Sequence, residues 1–238
     1  MSITALRILI FTLLPLILGG TVILFDKATS TRERKLEAIL IFLFGLGVGG
    51  AGIANFAAHF FLSDIVAESI GWETGSPFQL EVAYANLVLG VLGIIATSRR
   101  DGFREATVIA VTIFGVGATI VHLMDILTTG NLAPGNTLQN VSNLLKPALL
   151  IVFLAAMRRA EARPDSEAGS TSFENWRAAL LQVSAPITIV LATAFGLGFA
   201  LGQAWLVIGI GVLISFAVLG AALKRSQYHE LGWGNESI

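Results

Sequence analysis

Residues 55–86 read NFAAHFFLSDIVAESIGWETGSPFQLEVAYAN. The stretch begins inside one long apolar segment and ends inside the next. Between them it gathers His59, Asp64, Glu68, Trp72, Glu73, Gln79, Glu81 and Asn86, with no Lys or Arg. The chain on either side is mostly apolar. Of 238 residues, 55% are hydrophobic and only 13% are charged, with a mean hydropathy of +0.79. Soluble domains carry about 25% charged residues. The composition is that of a polytopic integral membrane protein, all-α because lipid offers no partner to unpaired backbone groups. A net charge of −1 gives no footing for nucleic acid, so the bilayer is the expected partner. The absence of Cys excludes disulfides, Cys-ligated zinc, iron–sulfur clusters and thiol catalysis.

A spanning helix needs about 20 mostly apolar residues. Seven segments qualify, near 5–25, 36–62, 77–97, 105–128, 137–158, 178–200 and 204–223. The first could pass for a signal peptide. Its apolar run continues through Phe25 without a small-x-small cleavage pattern, so it reads as a retained span. Helix starts are marked by Ser30 with Glu33, by Ser76-Pro77 with Gln79, by Asp101, and by Asn136 with Gln139. The order of units is a first helix and loop (1–30), a four-helix core (31–159), a flexible linker (160–177), and an apolar hairpin with a tail (178–238). The hairpin, 178–223, is the expected surface for a second copy or a partner membrane subunit.

Charge sets the orientation. With seven alternating spans, all of the 15 Lys and Arg residues except Arg7 and Lys146 fall on one side. The loops 63–76 and 129–136, and the Leu201-Gly202-Gln203 turn, hold none. The expectation is a cell-membrane protein with its N-terminus outside and its C-terminus in the cytoplasm.

Ionisable residues within spans mark function by default. His59, Glu81, His122, Asp125 and Lys146 all fall in the outer halves of their spans, together with Asn140 and Asn143; Arg7 lies at the same depth on the first span. The cytoplasmic halves show nothing comparable. Gly45, Gly49, Gly52, Asn55 and His59 form one stripe at helical spacing on the second span. Gln79, Asn86, Gly90 and Gly93 share a face of the third, and Gly115, Ala118, His122 and Asp125 share a face of the fourth. Small-residue stripes let helices approach closely. Packing along the second and fourth stripes would aim His59 at His122.

The expected ligand set is therefore Asn55, His59, Gln79, Glu81, Asn86, His122, Asp125, Asn143 and Lys146. The DIVAESIGW segment would form a short interfacial helix over it, while Trp72, Trp205 and Phe60-Phe61 would sit in the aromatic belt. Several chemistries fit these residue types. His59, Glu81, His122 and Asp125 could hold a divalent metal. The two histidines could ligate haem b, and the pocket could instead take a quinone or a small polar solute. A proton-coupled small-solute transporter is one alternative. Another is a structural or assembly subunit in which the same groups only pair helices. Retinal is disfavoured, because the last span has no Lys.

The segment from Ile70 to Gly93, IGWETGSPFQLEVAYANLVLGVLG, resembles an uncharacterised family of prokaryotic multi-pass membrane proteins sharing the pattern IGWxxGxPFQxExxxANLxxG. Ile70, Gly71, Trp72, Gly75, Pro77, Phe78, Gln79, Glu81, Ala85, Asn86, Leu87 and Gly90 carry it. The resemblance extends over 37–158 and implies a four-span unit to which the other three spans are additions. It implies no activity. The layout is also similar to DoxX-type four-helix membrane proteins, some of which are tied to quinone or thiol redox chemistry. The lack of Cys departs from a thiol role.

Overall fold

The structure, a computed structural model, describes residues 3–200 and 204–230. The Leu201-Gly202-Gln203 turn, and the side chains of Trp205, Arg225 and His229, lie outside the described residues. The helices are α1 (Ile3–Phe25), α2 (Arg32–Phe61), α3 (Ser63–Ile70), α4 (Phe78–Ser98), α5 (Phe103–Thr129), α6 (Pro134–Glu161), α7 (Thr171–Ala200) and α8 (Ala204–Glu230). All but α3 are long and apolar enough to cross a membrane.

The bundle is built around α2. In its most apolar stretch 89% of the residues are buried, against 44% or less in the other six long helices. A helix that is apolar on every side must be covered on every side. Ile41, Phe42 and Leu46 face a cluster with α1, α7 and α8, while Leu40, Leu43, Phe44 and Val48 face another with α4, α5 and α6. Phe195 of α7 meets Phe11 of α1 edge to face at 5.2 Å. The sixth span therefore packs into the core as well as against α8.

The glycine stripes do pack, but with different partners from those expected. Gly52 lies against Gly90, where an added Cβ would come within 2.5 Å of the Gly90 backbone. Gly93 similarly faces Gly49. Asn55 Nδ2 donates to Asn86 Oδ1 at 3.2 Å one level further along. The second-span stripe thus zips onto α4, not onto α5. The α5 stripe packs on α6, with Gly115 against the Asn143 carbonyl. Nor is the second stripe a plain α-helical one, because Leu43–Gly50 is a π-helical turn rich in glycine. A second π turn, Leu9–Leu13, precedes Pro15 in α1.

Helix starts also differ in detail. Thr31, not Ser30, caps α2, accepting from the Arg34 amide. Asp101 accepts from the Phe103 amide, as expected. Ser76 Oγ accepts from the Phe78 amide. Gln79 and Asn136 do no capping, because both side chains are committed elsewhere. The 160–176 stretch is tied down rather than loose: α7 begins at Thr171, Phe173 is fully buried, and Glu167 is held by Arg34 and Thr31.

Candidate functional site

Two polar regions lie at opposite ends of the bundle. At the end carrying the basic loops, Glu37 of α2 is 0% exposed and Arg104 of α5 is 1% exposed. They form a two-pronged pair, Nη1 to Oε2 at 2.7 Å and Nη2 to Oε1 at 2.8 Å. Arg177 of α7 donates to the same carboxylate at 2.5 Å. The spare guanidinium protons reach carbonyls at the end of α4: Arg104 to Ala96 at 3.0 Å and Arg177 to Thr97 at 2.5 Å. One glutamate thus ties four helices. Around it lie Arg34–Glu167, Arg100–Glu161 and Arg158–Glu105 pairs. By sequence Arg104 and Arg177 count as loop charges in helix halves without notable polar groups; both are buried.

At the opposite end the motif segment builds a roof. Gly71 closes α3 at φ +81, a left-handed conformation that favours glycine, beneath the Asn131 amide. The chain then turns so that Trp72 stacks on His122, with ring centroids 5.3 Å apart and planes 20° apart. Trp72 Nε1 donates to Asp125 Oδ2 at 3.0 Å. Trp72 is therefore half-buried and bonded. Asp125 also accepts from Asn131 Nδ2 at 2.9 Å and Asn136 Nδ2 at 2.8 Å. Asn136 Oδ1 in turn accepts from His122 Nδ1 at 2.7 Å. Its amide nitrogen is engaged by Asp125, so its oxygen must face the imidazole and Nδ1 of His122 carries the proton. Asp125 thus orients His122 through Asn136, not directly. On the other wall, His59 Nδ1 bonds Gln79 Oε1 at 2.6 Å, while on His122 the protonated Nδ1 leaves Nε2 to accept.

Under this roof lies a chamber of about 440 Å³. His59, His122, Trp72 and Gln79 line its polar side, with Val66, Ile70, Phe78 and Phe114 among its apolar walls. A smaller recess of about 70 Å³ continues deeper, between α1, α2, α4, α5 and α6. The two share Arg7, Asn55, Asn86, Phe114, Gln139 and Asn143 as a common wall. Lys146 lines the recess, beside Pro147.

Of the expected ligand set, Asn55, His59, Gln79, Asn86, His122, Asn143 and Lys146 face these spaces. Asp125 does not; it is spent in the roof. Glu81 is exposed and outside both walls. The proposed metal set is therefore not assembled, and among the described residues no three His, Asp or Glu side chains gather as ligands for an ion. Arg7 and Gln139, absent from the expected set, line both spaces. The signal for Arg7 was present, since it and Lys146 are the two cations that break the charge segregation. α1 also supplies part of the wall, so the site is not confined to the second to fifth spans.

Neither the curated proteins nor the solved structures include one that matches this chain. A family match does exist, and it spans 6–163, which takes in α1 as well as the four spans expected from the motif. The chain belongs to the DUF6790 family, a family of unknown function.

Proposed function

We propose that this chain is a multi-pass membrane protein that binds a small amphiphilic ligand in the chamber beneath α3. The carrying observation is the chamber itself. Its volume of about 440 Å³ lies in the roughly 300–1,000 Å³ range of small-molecule sites. Mixed walls supply an apolar body with surface and a polar end with hydrogen-bond partners. The two imidazoles are held in place by Gln79 and by Asn136, which favours oriented recognition over mere helix pairing. Charge segregation supports an orientation with the basic loops in the cytoplasm and the roof outside. On that reading the ligand enters from the outer leaflet or the outer aqueous face.

Gly117 provides the test. It lines the chamber, and a Cβ added there meets nothing within 4 Å. Gly117→Trp should fill the chamber without disturbing the helices. Wild-type protein purified in a neutral detergent should carry a small amphiphile detectable by native mass spectrometry. The Gly117→Trp protein should lose it while melting at the same temperature. Equal retention by the two proteins would overturn the proposal.

A further inference from the structure

We infer that the chamber's ligand is an amphiphilic oxyanion, a carboxylate or phosphate on an apolar body, whose charged end is held by Arg7 and Lys146. The inference rests on the ligand-binding reading above and names its chemistry. The argument is one of charge. No Asp or Glu lines either the chamber or the recess. Arg7 and Lys146 do, and among the described residues neither meets a carboxylate or donates a hydrogen bond. Arg7 and Lys146 both line the recess, so the two cations face one space. A half-buried cation held between apolar helices without a counter-charge is unfavourable, and a second cation in the same recess makes it more so.

The rest of the molecule shows how this chain treats buried cations when the purpose is structural. Arg104 and Arg177 share Glu37, and Arg34 has Glu167. Arg7 and Lys146 are also the two cations that depart from the charge segregation. Stability alone does not account for their place in apolar helices.

The neighbouring amides point the same way. Gln139 Nε2 donates to Asn143 Oδ1 at 2.9 Å, leaving Gln139 Oε1 and Asn143 Nδ2 buried without partners. Turning both amides over would still leave one donor and one acceptor free. An oxyanion seated between Arg7 and Lys146 accepts from such a donor as well as from the two cations, in charge-assisted bonds. Arg7 lines both spaces, so a group it holds sits where the recess meets the chamber. Val66, Ile70, Phe78, Val82 and Ile113 then cover the apolar part.

The test compares ligands that differ only at the end group. Decanoate, decyl phosphate, decanol and inorganic phosphate are titrated by calorimetry into the full chain in neutral detergent. Decanoate or decyl phosphate should bind at least tenfold more tightly than decanol. Which of the two is tighter identifies the oxyanion. Arg7→Gln with Lys146→Gln should remove that preference while the protein still melts cooperatively, since the change deletes unpaired charges. The wild-type comparison stands even if the double variant fails to fold. Decanol binding as tightly as the anions would overturn the inference and leave the binding proposal intact. Inorganic phosphate binding as tightly as decyl phosphate would overturn the amphiphile part. Absence of binding by all four would overturn the inference and the binding proposal together.

Discussion

The Glu37 cluster and the Arg7–Lys146 cavity both hold cations between helices, and they do so in opposite ways: the first buries them, the second leaves them half-buried against a cavity. At the basic end each deeply buried guanidinium finds a carboxylate of the same chain, and its spare protons find carbonyls at the end of α4. At the other end the carboxylates Asp64, Glu68, Glu73 and Glu81 are exposed, while two cations lie beneath them with none. The two ends differ in whether the chain supplies the counter-charge. A complete ion cluster holds helices together; an incomplete one has capacity left for something else.

The sharpest way to break that contrast is to remove Glu37. Glu37→Gln leaves Arg104 and Arg177 buried against a neutral amide, which costs about 3–5 kcal/mol. The expected result is a large fall in the melting temperature in detergent, or loss of folded protein, measured by tryptophan fluorescence or size-exclusion chromatography. Arg7→Leu and Lys146→Leu should cost nothing or raise the melting point in ligand-free protein. Equal damage from all three variants would erase the distinction between the two ends.

The next effect concerns the seam that carries the cavity wall. Gly93→Leu forces a side chain into the Gly49 backbone and should cost about 1–3 kcal/mol by overpacking. Gly102→Leu, where an added Cβ meets nothing within 4 Å, serves as the unaffected control in the same melting experiment. A smaller effect is expected in the roof. Trp72→Phe keeps a ring over His122 but loses the bond to Asp125, at about 1 kcal/mol. Ligand dissociation should accelerate more than stability falls, and an unchanged rate would mean that Trp72 does not close the chamber.

The smallest effect is one of pH at the basic end. Burial pushes the Glu167 carboxyl up, but hydrogen bonds from Arg34 and Thr31 outweigh it and hold the group below its ordinary value of 4.5. A depressed carboxylate contributes stability at pH values above the unfolded pKa and loses it as pH falls through the folded one. Melting temperature should therefore be steady at neutral pH and drop below about pH 4.5. Glu167→Gln should lower the stability at neutral pH by about 1 kcal/mol or less and flatten the acid limb of the melting curve. An identical acid limb in the variant would remove Glu167 from the account.

Much of the architecture was legible in the chain. The seven apolar helices are local runs of composition, and their ends carry local signals such as Asp101 ahead of Phe103. The Asn55–Asn86 bond and the glycine faces could be seen as faces because helical spacing depends only on neighbours in sequence. Their pairing could not. Whether the α2 stripe meets α4 or α5 depends on which helices become adjacent, and an expected approach of His59 to His122 gave way to separate anchors at Gln79 and Asn136. The Glu37 cluster was invisible for the same reason. Arg104 and Arg177 lie 67 and 140 residues from Glu37, and each reads locally as a loop charge beside a helix end.

By itself the sequence determined the helical class, the number of apolar helices, the segregation of charge between loops, and the two cations that break it. These follow from composition and short-range spacing, which act before any helix meets another. Only the tertiary structure decided which charges are matched. It buried Glu37 with Arg104 and Arg177, sent Asp125 into the roof and Glu81 to the surface, and left Arg7 and Lys146 facing a cavity without a carboxylate. Charge pairing acts over a few ångströms, and proximity on that scale is created by packing rather than by order along the chain.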